Sequence, residues 1–336
     1  MHLPSELGVG TVLRFQPRSQ WSSAMGRFSK YLAWTVVILL IIAVAAYVIA
    51  RSGLRELDDA AREELGGLYL QTEQGVLSYT REGDREAPSI ILVHGFSTPK
   101  FVWEQVTPYL LDAGYQVITY DHFGRGFSDR PEVAYDSALY QSELASLIAG
   151  LKLATPLTLV GYSMGGANVV DYSASNPEQI KQLVLIAPAG YMPDNGSLSI
   201  MAAPVLGEWL STLVGKQYAY AGIEAEVRAG RAPEDMLPKF EAQAIYEGYT
   251  DAMLSTLRNF PMGDLSERYK ILGKTDIPVT AIWGTADKIV PYSGAVQMAK
   301  DLPQLKLITI EDANHNMTFG QAAVVANSLT QALGNP

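Results

Sequence analysis

The clearest chemical pattern in the sequence is a serine between two glycines, in the segment Gly161-Tyr162-Ser163-Met164-Gly165. The apolar run 157–160 before it predicts a short buried strand, and the small residues after it predict the start of a helix. Glycines let the strand and helix backbones approach closely, so the turn between them projects the serine hydroxyl from the sheet edge. The N-terminus of the helix favours negative charge at that point. The pattern predicts that Ser163 is a nucleophile; the alternative is an ordinary Gly/Ser turn.

A serine hydroxyl is a weak nucleophile near neutral pH and needs a general base within hydrogen-bond reach. The sequence has four histidines. His2 precedes a long apolar segment, whereas His94 and His122 follow predicted strands, and His94 is expected to brace a loop. His315 comes directly after the last predicted strand. Loops that follow parallel strands gather at one edge of the sheet, which is also the edge that carries Ser163. His315 is therefore the predicted base, with a loop-bracing role as the alternative.

The base needs a carboxylate that fixes its tautomer and stabilises the imidazolium that forms. Asp287 follows another predicted strand and lies between Ser163 and His315 in the sequence. The order Ser, Asp, His is that of one known arrangement of such residues. Asp312 competes less well, because it is close to His315 in the sequence. Asp287 is therefore the predicted orienting acid.

Attack on a carbonyl creates a negatively charged oxygen that two backbone N–H groups commonly stabilise. The N–H of Met164, at the start of the helix after the serine, is the first expected donor. The N–H of Phe96, on the loop after strand 89–93, is the expected second donor. Either group could instead take part in ordinary helix or loop geometry.

Strands alternate with helices through most of the chain, which predicts a mainly parallel sheet flanked by helices and built from right-handed crossovers. The first two strands are expected to form a hairpin. The predicted strands are 68–72, 76–80, 89–93, 116–120, 157–160, 182–186, 279–283 and 305–310. The predicted helices of this core are 101–111, 137–151, 293–301 and 321–333.

The alternation stops between residues 188 and 270, where no strand pattern is present. This stretch, inserted after the sixth strand, is expected to form a helical cap over the sheet edge, between core segments 68–187 and 271–336. Its apolar part, 199–214, could line an apolar pocket or face a bilayer. The alternative for most of these side chains is plain packing onto the core.

The N-terminal region combines a polar segment, 1–30, with twenty uncharged and largely apolar residues, 31–50. As a helix these twenty residues span about 30 Å, the thickness of a membrane hydrocarbon core. They predict a retained single-pass transmembrane anchor, followed by a linker at 51–67 that could contain a short helix. The alternative is a signal peptide, for which Ala43-Val44-Ala45 offers a cleavage site. Little fixed structure is expected within 1–30.

The orientation of this anchor depends on a small charge difference. Basic residues are balanced close to both ends, so the positive-inside rule discriminates little. Arg14 on one side and the acidic cluster Glu56, Asp58 and Asp59 on the other favour an N-terminus inside. The catalytic domain is then expected on the extracytoplasmic side.

Composition excludes several classes of function. The net charge of the chain is −10, and 34 of its 35 acidic residues follow residue 55. An acidic body argues against a nucleic-acid partner, since phosphate binding needs clustered Lys and Arg. With no cysteine and four dispersed histidines, no metal site is expected. No glycine-rich phosphate loop follows a strand, so no cofactor is expected either.

Together these motifs resemble the α/β-hydrolase superfamily over residues 68–334. The resemblance is carried by five segments in order: His94-Gly95-Phe96, Asp121–Ser128, Gly161–Gly166, Trp283–Asp287 and Asn314-His315. It implies an α/β-hydrolase fold and a Ser163–His315–Asp287 triad. Asn314 departs from the pattern, because a glycine often precedes this histidine.

Within the superfamily, three features resemble membrane-anchored monoacylglycerol lipases and related bacterial lipases and esterases. They are the His-Gly-Phe-Ser segment followed by Trp103, the segment Ala187-Pro188-Ala189-Gly190, and the N-terminal apolar segment. The resemblance implies hydrolysis of a small-molecule acyl ester or lipid through an acyl-enzyme. Haloalkane dehalogenases and epoxide hydrolases of this fold carry aspartate where Ser163 stands. A perhydrolase, thioesterase or amidase using the same triad, or a non-catalytic lipid-binding module, remain the alternatives.

Overall fold

The computed structural model of the chain describes residues 19–192, 201 and 203–334. The chain divides into two units, one ending at Ala50 and the other beginning at Arg51. Helix α1, Ser19–Arg51, contains a candidate membrane span, Phe28–Arg51, of 24 residues. By length and composition alone, a signal sequence near an N-terminus also fits this description.

Helix α1 begins earlier than the sequence pattern predicts. The expectation of little fixed structure within 1–30 is wrong for residues 19–30, which are helical; residues 1–18 lie outside the described residues. Helix nucleation is costly but propagation adds a hydrogen bond for each residue fixed. No proline interrupts 19–51, so the helix of the apolar segment extends into its polar neighbours.

The second unit is built on one sheet, whose eight strands among the described residues have the order β1-β2-β4-β3-β5-β6-β7-β8. Strands β1 and β2 form the predicted hairpin, with Gln71 opposite Val76. The pair β2–β4 is also antiparallel, and all other neighbours are parallel. The strands are β1 Leu68–Gln71, β2 Val76–Glu82, β3 Ser89–Val93, β4 Gln116–Tyr120, β5 Leu157–Tyr162, β6 Ile180–Ile186, β7 Val279–Gly284 and β8 Leu305–Ile310.

The central strands are continuous apolar runs because both faces of the sheet are covered. Every residue of β4, β5 and β7 is buried. The covering helices are α2 Asp59–Leu65, α3 Thr107–Asp112, α4 Ser137–Gly150, α5 Met164–Ser175, α10 Ser266–Leu272, α11 Ser293–Asp301, α12 Met317–Gly320 and α13 Ala322–Leu333. The predicted α/β architecture, mostly parallel and flanked by helices, is therefore confirmed.

The helix predicted at 101–111 is wrong in its extent. A 3₁₀ turn at Lys100–Trp103 is followed by the short helix α3, Thr107–Asp112. Pro108 has no N–H, and inside a continuous helix its ring would clash with the carbonyl of residue 104. It is tolerated here because it stands in the first turn of α3.

Between β6 and residue 259, the described residues contain helices and no strand, as predicted. Helices α6 Leu206–Leu210, α7 Lys216–Arg228, α8 Met236–Ala244 and α9 Tyr249–Asn259 form what we call the inserted segment, residues 203–259; the π-helical turn Ser211–Gly215 joins α6 to α7. The predicted boundary at residue 270 falls inside α10. Helix α10 packs on α5, where Arg268 forms an ion pair with Asp171 at 2.5 Å. The predicted apolar stretch 199–214 lies in part, at residues 199, 200 and 202, outside the described residues.

Strand β5 and helix α5 meet at a point where the backbones leave no space for a side chain. A Cβ atom at Gly165 would overlap the carbonyl oxygens of Val93 and His94 in β3 and its loop. A Cβ at Gly161 would lie 2.5 Å from the carbonyl oxygen of Gly165. These two glycines let α5 start directly above the sheet edge, which brings the residue between them to the carboxyl end of β5.

Substituting Gly165→Ala is expected to destabilise the protein by about 1–3 kcal/mol or more, because the new methyl group meets backbone atoms that cannot rotate away. Urea unfolding measures the change. Gly222→Ala is the matched control: Gly222 is exposed within α7, and a Cβ added there would have no atom within 4 Å. That control should gain about 0.5–1 kcal/mol from helix propensity. Equal losses in both variants would contradict the packing argument.

Candidate active site

Ser163 occupies the strained turn between β5 and α5. Its φ of 55° lies in the left-handed region, which residues other than glycine rarely adopt. Hydrogen bonds hold this backbone in place: the Ser163 N–H donates to the Ile186 carbonyl at 2.9 Å, and the Ser163 carbonyl accepts the N–H of Ala189 at 2.9 Å. The end of β6 and the loop after it thus fix the backbone of the serine. Ser163 is 9% exposed.

His315 lies on the loop between β8 and α12, with its ring against the serine. Its Nε2 is 3.0 Å from the Ser163 hydroxyl oxygen. Tyr162 supports this loop, since its hydroxyl donates to the His315 carbonyl at 2.9 Å and its ring centre lies 5.1 Å from that of the imidazole. Burial raises the pKa of Tyr162 well above its usual range, so its hydroxyl remains a donor.

Asp287 lies on the loop after β7 and faces the other nitrogen of the imidazole. Its Oδ2 is 2.7 Å from His315 Nδ1. Its Oδ1 accepts the backbone N–H groups of Ile289 at 2.9 Å and Val290 at 2.8 Å. These two bonds fix the carboxylate plane. Asp312, the competitor considered from the sequence, is exposed.

The structure brings the three predicted side chains into one hydrogen-bonded series. Because the Asp287 carboxylate accepts, His315 Nδ1 carries the proton, and Nε2 is left with a lone pair toward the serine hydroxyl. A buried carboxylate stabilises the positive charge that the imidazole acquires when it takes that proton. This arrangement can deprotonate Ser163 and return the proton to a leaving group.

The two predicted backbone donors belong to segments that adjoin the serine. Met164 is the first residue of α5, so its N–H lies at the positive end of the helix dipole. Gly95, directly before Phe96, packs so closely on Ser163 that a Cβ at Gly95 would lie 3.2 Å from the serine Cβ. The main chain of Phe96 is itself held in place, because Arg125 Nε donates to its carbonyl at 2.8 Å.

The inserted segment reaches these loops through polar side chains. Gln243 of α8 accepts the Gly126 N–H at 2.8 Å and donates to the Ser97 carbonyl at 3.3 Å. On the other side, Nδ2 of Asn314, next to His315, lies 3.5 Å from Glu226 of α7. Hydrogen bonding from Arg231 at 2.8 Å lowers the pKa of Glu226, which keeps this carboxylate charged.

A buried cluster behind the loop 94–97 contains residues that sequence reasoning did not identify. His94 Nε2 accepts the His122 N–H at 2.9 Å, and the His122 ring contacts the Glu143 carboxylate. Glu143 also accepts the Phe123 N–H at 2.8 Å. His94 braces the loop, as the sequence suggested. Nothing in the spacing of α4 marks Glu143, which is fully buried.

Comparison with known proteins agrees with the architecture. The sequence profile of the family described as the alpha/beta hydrolase fold matches residues 88–321. The matched range contains all three residues of the series and both predicted backbone donors.

Relatives with names that describe an activity are similar over most of the chain. Lipase 1 of Psychrobacter immobilis is 27% identical over 70% of this chain and 74% of its own length. Monoacylglycerol lipase ABHD6 of Homo sapiens is 26% identical over 80% of this chain and 82% of its own. A putative non-heme chloroperoxidase of Synechocystis is 29% identical over 69% of this chain and 86% of its own.

The buried His94 is expected to make stability depend on pH. Burial, and secondly the nearby His122, lower the pKa of His94 well below its usual range. The unfolded chain therefore binds a proton near pH 6.5 that the folded protein does not, so the free energy of unfolding falls as the pH drops below about 6.5.

His94→Gln, which retains an acceptor and a donor, should remove this component. Urea unfolding between pH 8 and pH 5 should give a slope that is shallower than that of the wild type by up to about 1.4 kcal/mol per pH unit. Above pH 7.5 the two slopes should agree. Parallel curves across the whole range would contradict the assignment.

Proposed function

Since the chain belongs to the α/β-hydrolase family, we propose that it is a membrane-anchored serine ester hydrolase that acts on acyl esters, in the manner of a lipase or carboxylesterase. Ser163 is the proposed nucleophile, His315 the general base and Asp287 the orienting acid. The N–H groups of Phe96 and Met164 are the proposed oxyanion donors. The substrate is a small-molecule acyl ester or lipid, monoacylglycerol included.

One observation carries this proposal: the hydrogen-bonded series from Asp287 through His315 to Ser163. Its two distances, 2.7 Å and 3.0 Å, suit proton transfer. Its members lie on three separate loops at the carboxyl ends of β5, β7 and β8. A purely structural role would not require all three polar side chains to meet at one buried point.

The proposed reaction has two halves. Ser163 Oγ attacks the ester carbonyl carbon while His315 Nε2 takes the hydroxyl proton, and the oxyanion is stabilised by the two N–H groups. The C–O bond to the alcohol breaks as His315 returns the proton to the leaving oxygen. Water then loses a proton to His315 and attacks the acyl-enzyme, which releases the acid and restores Ser163.

The inserted segment is proposed to act as a cap that helps to select the substrate. It follows β6, beside the serine, and its side chains reach the loops that carry Phe96 and His315. Apolar side chains are exposed on this segment: Val205, directly before α6, is 81% exposed, and Tyr218 of α7 is 84% exposed. Exposed apolar side chains on the segment support a lipid-like substrate.

The relative that is named a chloroperoxidase supports a second candidate activity. With the same triad, hydrogen peroxide could replace water in the attack on an acyl-enzyme and release a peracid. Peracid formation from acetate and peroxide, measured beside ester hydrolysis, separates the two activities. A rate of peracid formation that exceeds ester hydrolysis would favour the perhydrolase; acyl-CoA and amide substrates in the same panel test a thioesterase or an amidase.

Fluorophosphonate labelling and hydrolysis of p-nitrophenyl esters of varied acyl length test the proposal. The wild type should be labelled and Ser163→Ala should not, with a fall in kcat of at least about 10⁴-fold, because the nucleophile is lost. Asp287→Asn should lower kcat by about 10⁴-fold, since the wrong tautomer of His315 is then favoured.

Asp312→Asn is the matched control for the acid. Asp312 is exposed and has a φ of 57°, a conformation that asparagine tolerates. Its kcat should stay within about twofold of the wild type. Labelling of Ser163→Ala, or equal losses in the two aspartate variants, would refute the assignment of the triad.

The N-terminal helix is proposed to remain as an anchor, with the catalytic unit on the extracytoplasmic side. Protein extracted from membranes by detergent should still contain residues 31–50 when its intact mass is measured, because a 24-residue apolar helix is long enough to span a bilayer. A mature protein that begins at Ala46 would show cleavage of a signal peptide instead. Protease accessibility in sealed vesicles tests the orientation.

A further inference from the structure

We propose that Arg125 is a positioning residue that holds the oxyanion donor Phe96 in place and connects it, through Thr256, to the inserted segment. This inference rests on the proposed function for its effect on catalysis. Its structural half, the immobilisation of the loop at Phe96, can be measured without any activity.

Arg125 contacts Phe96 at two points. Its Nε donates to the Phe96 carbonyl at 2.8 Å, and its guanidinium lies 5.1 Å from the centre of the Phe96 ring. The carbonyl bond fixes the main chain, and the cation–π contact fixes the side chain. With both ends of the residue held, the Phe96 N–H has little freedom to turn away from Ser163.

The same guanidinium extends to the inserted segment. Its Nη2 donates to the Thr256 hydroxyl at 2.9 Å, on helix α9. Arg125 and Thr256 are both fully buried. The planar guanidinium presents its N–H groups in a rigid fork, so the positions of Phe96 and Thr256 are linked through one inflexible group.

Thr256 is itself fixed by its surroundings. Its hydroxyl donates to the Ala252 carbonyl at 2.8 Å within α9, and it lies 2.7 Å from the Tyr140 hydroxyl of α4. The Arg125 contact is therefore made to a group that cannot follow the guanidinium if the latter shifts. A displacement of α9 is expected to move Arg125, and with it the donor beside the serine.

A pair of variants tests this connection. Thr256→Val keeps the shape of the side chain and removes the hydroxyl, which leaves a buried donor of Arg125 unpaired. Thr256→Ser, the matched control, restores the hydroxyl.

For Thr256→Val we expect a fall in kcat of about 10-fold, smaller than the 10²–10³-fold loss that follows removal of a whole oxyanion donor. KM for a p-nitrophenyl ester should change less than about twofold, since ground-state binding is untouched. The inhibition constant of a trifluoromethyl ketone, which forms an oxyanion at the serine, should rise in proportion to the loss in kcat. Thr256→Ser should recover most of kcat.

Hydrogen–deuterium exchange of the peptide that contains residues 94–98 provides the readout that needs no substrate. Exchange should be faster in Thr256→Val than in the wild type or Thr256→Ser. If the wild type hydrolyses no ester and resists fluorophosphonate, the proposed function fails while the exchange result still decides the role of Arg125. Unchanged exchange in Thr256→Val, or equal effects in Thr256→Val and Thr256→Ser, would overturn the inference.

Discussion

The close contact between β5 and α5 is the constraint on which the rest of the structure depends. At Gly161 and Gly165 the backbones approach to distances that exclude a Cβ atom. The chain can turn from strand to helix within one residue only if that residue, Ser163, accepts a left-handed conformation. Such a conformation costs on the order of 1–3 kcal/mol and persists only where the surroundings determine it. The backbone hydrogen bonds from Ser163 to Ile186 and from Ala189 to Ser163 hold this conformation. The sheet and the loop after β6 therefore fix the position of the serine hydroxyl.

The loop opposite the serine needs a different kind of support, because it has no helix of its own. Behind it lie polar groups that are buried in the core: His94, His122, Glu143 and Arg125. An unpaired polar group in this position costs about 1–3 kcal/mol. The contacts between His94, His122 and Glu143, together with the bonds from Arg125 to Phe96 and Thr256, meet most of that demand. The same contacts that satisfy these groups therefore fix the path of the loop. Burial of the polar side chains in this way favours one conformation of the loop.

The sequence predicts the sheet well and the polar support poorly, for one physical reason. A strand leaves a local signal in its apolar run, and the loops that carry Ser163, Asp287 and His315 follow from strand order alone. The partners of Arg125 and Glu143 depend on tertiary packing: Thr256 is 131 residues from Arg125, and His122 is 21 residues from Glu143. No periodicity records such pairs. Local chemistry explains the errors in helix extent, since Pro108 divides one helix and the absence of proline lengthens α1.

The polar contacts of the inserted segment distinguish it from a simple cover over the sheet edge. A cover could pack through apolar side chains, which tolerate sliding because dispersion and burial are not directional. Here Gln243, Thr256 and Glu226 make directional contacts with the loops after β3, β4 and β8. Breaking such a buried bond leaves a donor or acceptor unpaired. These bonds therefore fix the position of the segment relative to the loops. A substitution that reshapes the apolar face of the segment can leave the site unchanged only if these three side chains keep their positions. The surface that would contact a substrate and the groups that would act on it are therefore connected by directional bonds.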